Sequence, residues 1–168
     1  MKNLFTILIF LGFGLNINAQ NYASFDELKN NIISKTIPLI TVKELKKVEN
    51  TKKPLLILDA RERPEYNASH LKNAKYVGYE SFKISALKGV DKNMTIVVYC
   101  SVGYRSERIG EKIKKAGYTK VLNLQGGIFD WVNNGFPVFD NTGNLTTKIH
   151  AYDKDWGRWV SQGDKVYE

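Results

Sequence analysis

The sequence contains little that could bind a metal or cross-link the chain: one cysteine, Cys100, and two histidines, His70 and His150, among 168 residues. A single cysteine cannot form an internal disulfide bond, so Cys100 is either an inert buried residue or a reactive thiol. One cysteine and two distant histidines do not make a metal-ligand set, and we expect neither a metal nor another cofactor. The length and the lack of a visible repeat predict a single domain.

Long apolar runs are also absent. The longest, from Leu4 to Leu15, is too short to cross a bilayer. With Lys2 before it and the small residue Ala19 after it, the run is typical of a secretory signal peptide over residues 1–19. We therefore expect an exported protein, periplasmic or secreted. No cysteine stands directly after the cleavage position, so we expect no stable membrane anchor. A buried N-terminal helix is the alternative.

Acidic residues are outnumbered, 17 against 25 lysines and arginines, which gives a formal net charge of +8. A basic surface favours small anionic substrates or acidic partner proteins, although basic residues also simply maintain solubility. The lysines are scattered and are not interleaved with aromatic residues. We therefore expect no nucleic-acid partner.

The most informative stretch is a mostly β-branched run from Thr95 to Tyr99. An uninterrupted run of this kind predicts a strand that is buried on both faces, as in the centre of a parallel sheet. Cys100 closes this strand. An apolar stripe at helical spacing then predicts a helix that opens at about Glu107 and ends at the C-cap signal Gly117.

The predicted position of the thiol is chemically significant. At a helix N-terminus, backbone N–H groups are unpaired and the helix dipole is positive. A loop of N–H groups around Cys100 would form an anion cradle that stabilises a thiolate, and Arg105 would add a fixed positive charge. Such a cysteine needs no general base, so the reactive thiol is favoured over the inert one.

Three motifs occur in order along the chain. They are Leu56-Ile57-Leu58-Asp59-Ala60-Arg61 with Pro64-Glu65-Tyr66 and Ser69-His70-Leu71-Lys72-Asn73-Ala74; Cys100-Ser101-Val102-Gly103-Tyr104-Arg105; and Leu124-Gln125-Gly126-Gly127 with Trp131. Together they resemble the rhodanese-like sulfurtransferases, over about residues 36–138. The resulting division is a signal peptide (1–19), an N-terminal helical extension (20–35), a rhodanese-like domain (36–138) and a C-terminal extension (139–168) that packs on the domain.

This resemblance implies an α/β fold with a central, mostly parallel sheet of about five strands and helices on both faces. We further predict helices over 24–34 and 81–88, and a helix that starts at the capping box of Thr41 and Glu44. Gly126 and Gly127 should allow close backbone approach to the cysteine loop. The tail beyond residue 138 should cover an exposed side of the sheet, or alternatively form a docking surface.

The resemblance also implies site residues, with Cys100 as the catalytic nucleophile. The candidate substrate-binding residues are Arg61, Ser101, Val102, Gly103, Tyr104, Arg105 and Ser106. Arg61 follows a strand end, where parallel sheets bind ligands, and in the family an arginine at this position contacts the substrate anion. A surface ion pair with Glu62 or Glu65 is the alternative for Arg61. Asp59 and His70 are predicted to be structural.

The implied activity is ping-pong transfer of a sulfane sulfur through a Cys100 persulfide. The donor would be a small anion such as thiosulfate, and the acceptor cyanide or a thiol, in a small molecule or a redox protein. Ser101 stands where many active members have a basic residue, which leaves open a persulfide carrier or partner-binding module without turnover. A phosphatase or arsenate reductase is a further alternative, but only four residues separate Cys100 from Arg105, one fewer than in the related phosphatases.

Overall fold

The computed structural model describes residues 19–51 and 53–167. Apart from Ala19, the predicted signal peptide lies outside the described residues. Among those that are described, no helix is long and apolar enough to cross a membrane.

Five parallel strands form the central sheet. They are β1 (Leu39–Ile40), β2 (Leu55–Asp59), β3 (Lys75–Tyr76), β4 (Thr95–Tyr99) and β5 (Lys120–Leu124), in the order β1-β5-β4-β2-β3. Every pairing in this sheet is parallel. The predicted sheet is confirmed, and β4 lies at its centre.

The sequence of β4 explains this central position. Ile96, Val97, Val98 and Tyr99 are all fully buried. Successive strand residues point to opposite faces, so Ile96 and Val98 join one apolar cluster while Val97 and Tyr99 join the other. A strand with apolar side chains on both faces has no solvent-facing side, as the sequence predicted.

Helices cover both faces of the sheet. The helices are α1 (Phe25–Ile32), α2 (Val42–Glu49), α3 (Arg63–Ala68), α4 (Tyr104–Lys115) and α5 (Gly127–Asn133). Residues of α1, α2 and α5 belong to one cluster, and residues of α4 to the other. Two predicted N-caps are confirmed: the Ser24 side chain accepts from the N–H of Glu27, and Thr41 with Glu44 forms a capping box.

Two predicted helices differ from the structure. The helix after the cysteine begins at Tyr104 rather than at about Glu107, because Gly103 takes a left-handed conformation (φ 112°) that completes the turn at once. Of the helix predicted over 81–88, only the 3₁₀ segment Ile84–Leu87 forms. The preceding N–H of Phe82 bonds three residues back, to Tyr79, which keeps this segment in successive tight turns.

The C-terminal tail continues from the domain in two small sheets. β6 (Val138–Phe139) pairs antiparallel with β7 (Leu145–Thr146), and β8 (Lys148–His150) pairs parallel with β9 (Asp164–Val166); the short α6 (Lys154–Gly157) lies between β8 and β9. Ile149, Trp159 and Val160 are buried in the cluster that also contains α1 and α5. The tail therefore extends the core on that side of the sheet.

Candidate active site

The carboxyl ends of the two central strands β2 and β4 lie side by side, with Asp59 paired to Tyr99. Cys100 follows directly and lies at the floor of a cavity of about 550 Å³, with only 1% of its surface exposed. The cavity is lined by Cys100, Ser101, Val102, Tyr104 and Arg105 from the cysteine loop and α4, by Glu62, Tyr79 and Glu80, and by Tyr152, Asp153 and Trp156 from the tail. This cavity therefore gives a small molecule a route to the sulfur.

The loop holds the sulfur by backbone geometry. The N–H of Gly103 donates to Cys100 Sγ at 3.1 Å. Since α4 begins at Tyr104, the N–H groups of its first turn have no partner within the helix and form the positive end of its dipole. The early start of α4 thus brings the predicted anion-binding terminus closer to the thiol than the sequence suggested.

Ser106 provides a second polar contact with the sulfur. Its Oγ lies 3.5 Å from Cys100 Sγ and 2.7 Å from Asn123 Oδ1. Asn123 in turn donates from Nδ2 to the carbonyl of Gly103 at 2.9 Å, which fixes the turn. Because a hydroxyl has one hydrogen, Ser106 can donate either to the amide oxygen or to the sulfur, and a developing charge on sulfur favours the second.

Helix α5 fixes the loop from the opposite side. The N–H of Ile128 donates to the carbonyl of Cys100 at 2.9 Å, and that of Phe129 to the carbonyl of Ser101 at 3.1 Å. A Cβ at Gly127 would collide with the carbonyl of Cys100, so the predicted close approach is confirmed for Gly127. It is wrong for Gly126, where a Cβ would instead meet the side chain of Asp130. With these carbonyls held by α5, the loop peptides keep one orientation around the sulfur.

Arg105 does not present a free charge to the cavity. Its guanidinium makes two hydrogen bonds with Glu65, at 2.6 and 2.7 Å, and a third with Ser101 Oγ at 2.9 Å. Burial raises the pKa of Glu65, but the hydrogen bonds and charge of Arg105 outweigh it and bring the pKa to about 2. The pair is therefore ionised at neutral pH and close to neutral in net charge.

The structure does not bring Arg61 to the cavity, contrary to the prediction. The side chain is 0% exposed, and its guanidinium bonds both carboxylate oxygens of Asp59 and the carbonyl of Ser69. Tyr99 donates its hydroxyl to the same carboxylate. Arg61 is retained in the interior because Asp59, two residues earlier, is a nearer and fully buried anion. Its ion-pair partner is thus Asp59, and Glu65 acts on Arg61 only through its charge.

Asp59 and His70 have structural contacts. Asp59 also accepts the backbone N–H of Arg61 at 2.9 Å. His70 stacks on Tyr66, and its backbone exchanges hydrogen bonds with Phe139. Within the described residues, no group of three or more His, Cys, Asp or Glu side chains could hold a metal ion.

Sequence reasoning missed two residues that support the cysteine loop, Glu65 and Asn123, and several residues that line the cavity. Glu65 was considered only as a partner for Arg61, and Asn123 has no local sequence signal. Tyr152, Asp153 and Trp156 lie about fifty residues beyond the loop, and only the chain path of the tail brings them to Cys100.

Comparison with known proteins gives a consistent assignment. The sequence profile of the family described as "Rhodanese-like domain" matches residues 41–134. Proteins called tRNA uridine(34) hydroxylase are 28% identical over 116 residues in Escherichia fergusonii and 32% identical over 115 residues in Escherichia coli. These alignments cover 64% and 63% of this chain but only 32% and 31% of the relatives, so the chain spans about a third of their length.

Solved structures share the fold. The rhodanese-like domain of an Anabaena protein aligns with a TM-score of 0.57 at 27% identity, over 61% of this chain and 79% of that one. A thiosulfate sulfurtransferase from Pseudomonas aeruginosa aligns with a TM-score of 0.58 at 21% identity, over 74% of this chain and 23% of that one. At that identity the second likeness concerns the fold alone.

Proposed function

Because the chain belongs to the rhodanese-like domain family, we propose that it is a sulfurtransferase that carries sulfur as a persulfide on Cys100. The observation that carries the proposal is the position of Cys100 Sγ, which accepts the N–H of Gly103 at the floor of a cavity. A backbone N–H donor beside the sulfur stabilises a thiolate, and the free N–H groups of the adjacent helix N-terminus can stabilise a persulfide anion in the same way.

In the first step, the Cys100 thiolate attacks the outer sulfur of a donor such as thiosulfate. The sulfur–sulfur bond of the donor breaks, sulfite leaves with the electron pair, and Cys100 retains the outer sulfur as a persulfide. The N–H groups at the start of α4 and the hydroxyl of Ser106 stabilise the charge that remains in the loop.

In the second step, an acceptor thiolate or cyanide attacks the outer sulfur of the persulfide. The bond between Cys100 Sγ and the outer sulfur breaks, its electron pair returns to Sγ, and the thiolate is restored. The product from a thiol is a new persulfide, and that from cyanide is thiocyanate. Ping-pong kinetics follow, because the first product leaves before the acceptor reacts.

A persulfide carrier with little turnover is a second candidate, and one observation favours it. The only cation on the described cavity wall, Arg105, is neutralised by Glu65. The wall therefore offers no free side-chain cation to bind thiosulfate. Steady-state assays with thiosulfate separate the two: turnover at ordinary enzyme rates supports the enzyme, and loading without turnover supports the carrier.

A phosphatase or arsenate reductase is less compatible with this site. Such enzymes need an arginine that binds the oxyanion, whereas both terminal nitrogens of Arg105 bind Glu65. We also do not propose the tRNA hydroxylation named for the longer relatives, because the cavity wall carries Glu62, Glu80 and Asp153, which would repel a nucleic-acid backbone.

The decisive experiment is the intact mass of the protein after incubation with thiosulfate, and separately with polysulfide. We expect a gain of about 32 mass units, one sulfur atom, that a reductant removes. Cys100→Ser is the control and should fold but gain nothing. Loading that persists in Cys100→Ser, or no loading from either donor, would contradict the proposal.

Export remains part of the proposal. It is supported by the apolar run Leu4 to Leu15 between Lys2 and Ala19. Expression of the full chain in a Gram-negative host tests it: we expect a protein in the periplasmic fraction that begins at Gln20. A protein that keeps Met1 and remains with the cytoplasm would contradict export.

A further inference from the structure

The cavity above Cys100 has a charge opposite to that of the whole chain. The chain has a formal net charge of +8, whereas the cavity is lined by Glu62, Glu80 and Asp153. In the described part of the chain, none of these three carboxylates makes an ion pair with a lysine or arginine. Their negative charge is therefore available to a ligand.

Two of these carboxylates are held in position by backbone donors. Glu62 Oε1 accepts the N–H of Glu80 at 3.1 Å, and Asp153 Oδ1 accepts the N–H of Trp156 at 2.9 Å. These bonds fix the carboxylates relative to the cavity without neutralising them. Fixed carboxylates of one sign around a cavity make a cation more favourable there than an anion of the same size.

The same wall is aromatic. Tyr152 and Trp156 come from the tail, and Tyr79 and Tyr104 from the domain. Arg108 lies 5.5 Å from the ring centre of Tyr104 and Lys112 lies 6.0 Å from that of Tyr79, and neither cation lines the cavity. Ring faces of tyrosine and tryptophan attract ammonium groups, and Tyr152 and Trp156 are the rings available for this contact.

Tyr152 is unusual in two respects. Its side chain is 57% exposed, which is high for a large aromatic residue, and its backbone is left-handed with φ 68°. The N–H groups of Tyr152 and Asp153 bond His150 Nδ1 and the carbonyl of Ala151, which holds this conformation. A bulky non-glycine residue in this conformation is strained, and such strain is found where a side chain must be presented.

We propose that the cavity selects a sulfur acceptor that carries a positive charge, namely a small thiol with an ammonium group. The ammonium lies among Tyr152, Trp156 and the carboxylates, and the thiolate of the same molecule faces Cys100. The thiolate attacks the outer sulfur of the Cys100 persulfide, the Sγ–S bond breaks, its electron pair returns to Sγ, and the acceptor leaves as its own persulfide. This inference rests on the proposed function.

The charge selection can be measured without sulfur transfer. Methanethiosulfonate reagents convert a thiolate to a mixed disulfide and release methanesulfinate, and Cys100 is the only cysteine. The rate of Cys100 modification is measured with a trimethylammonium reagent and with a sulfonate reagent, and the first rate is divided by the second. This ratio is then divided by the same ratio measured for free 2-mercaptoethanol, which removes the intrinsic difference between the reagents. We expect a normalised preference of about tenfold for the cationic reagent, although the net charge of the chain favours the anionic one.

Variants assign the preference to these residues. Combining Glu62→Gln, Glu80→Gln and Asp153→Asn should reduce the preference to about onefold to twofold. Glu80 and Tyr152 are exposed, so the single changes Glu80→Gln and Tyr152→Leu should not disturb the packing of the core. Each should reduce the preference for the cationic reagent by about twofold to threefold. Glu49→Gln, which removes the same charge at a residue of α2 that lines a different cavity, should leave it unchanged.

A second measurement concerns the acceptor itself. Cys100 is loaded with polysulfide, the excess is removed, and loss of the added sulfur is followed by mass with cysteamine, 2-mercaptoethanol and 3-mercaptopropionate at equal thiolate concentrations. We expect rates in that order, with cysteamine about tenfold faster than 3-mercaptopropionate. Equal acceptor rates, a normalised reagent preference of one, or a preference that survives the triple change would overturn the inference. A tenfold reagent preference without persulfide loading would instead reject the proposed function and leave the charge selection in place.

Discussion

Two arginine–carboxylate pairs lie near the carboxyl ends of the central strands, and they differ in burial and in what they touch. Arg61 and Asp59 are both 0% exposed and bond each other, Tyr99 and a backbone carbonyl in the interior. Arg105 and Glu65 are 18% and 3% exposed and bond Ser101 in the wall of the cavity. The same type of ion pair therefore stabilises the interior in the case of Arg61 and Asp59, and the cysteine loop in the case of Arg105 and Glu65.

The difference shows that an arginine near the active cysteine need not bind substrate. Arg61 contacts structural groups that fix the ends of β2 and β4. Arg105 fixes Ser101, the residue directly after the nucleophile, and neutralises Glu65. The inner pair, Arg61 with Asp59, should therefore contribute to stability alone. The outer pair, Arg105 with Glu65, should contribute less to stability and should also control the reactivity of Cys100.

Breaking the inner pair should have the largest effect. Arg61→Met leaves the Asp59 carboxylate buried without its cation, which should lower the free energy of unfolding by about 3–5 kcal/mol. Urea denaturation measures this loss. The matched change Arg105→Met should cost less, because its guanidinium is partly exposed and Glu65 keeps other donors. An equal loss in both variants would contradict the distinction.

Acid should weaken the outer pair next. The pKa of Glu65 is lowered from an ordinary 4.5 to about 2 in the folded protein. A carboxyl with a lowered pKa contributes stability above its unfolded pKa and loses it as the pH falls through the folded value. We expect a loss of about 3 kcal/mol between roughly pH 5 and pH 2, measured as denaturation midpoints against pH.

Glu65→Gln provides the control for this pH dependence. The variant should be less stable at pH 7, and its stability should fall less steeply over the same interval because residue 65 no longer titrates. If wild type and variant keep the same slope, the acid sensitivity arises elsewhere.

A conservative change in the outer pair should affect rate more than stability. Arg105→Lys retains the charge but cannot bond Glu65 and Ser101 together with a planar guanidinium. We expect loading of Cys100 by polysulfide to slow by about tenfold, while the unfolding free energy changes by about 1 kcal/mol. Loading at the wild-type rate would show that the pair does not position the loop.

The smallest predicted effects come from two hydroxyls, one on each pair. Tyr99→Phe removes the donor to Asp59, and Ser101→Ala removes the hydroxyl between Arg105 and Glu65. Each should lower the unfolding free energy by about 1 kcal/mol. Only Ser101→Ala should alter the rate at which Cys100 is loaded with sulfur. A comparable rate change in Tyr99→Phe would contradict the claim that only the Arg105–Glu65 pair affects the reactivity of Cys100.

The sequence predicted what short-range patterns determine. The buried strand Thr95 to Tyr99 and the caps at Ser24 and Thr41 depend on neighbouring residues and are confirmed. The close approach of Gly127 to the cysteine loop is also confirmed, but it joins residues far apart in sequence and was predicted from the glycine pair. The start of α4 was misplaced by about three residues, because left-handed geometry at Gly103 cannot be distinguished from a longer loop by composition.

The pairing of charges could not be predicted, because it depends on the fold. Glu65 and Arg105 are forty residues apart, and both arginines had acidic residues nearby in sequence. The contribution of Tyr152 and Trp156 to the cavity depends likewise on the path of the tail. Tertiary packing determines which charged groups pair and which tail residues reach the cavity, and the hydrophobic periodicity of the sequence does not predict this.

The tryptophan positions have an optical consequence. Trp131 and Trp159 are buried in the core, whereas Trp156 is partly buried and lines the cavity above Cys100. Indole emission is sensitive to nearby charge and to water, so a molecule in the cavity changes the signal of one fluorophore and leaves two as an internal reference. The tail thus supplies this protein with its own spectroscopic reporter of the sulfur site.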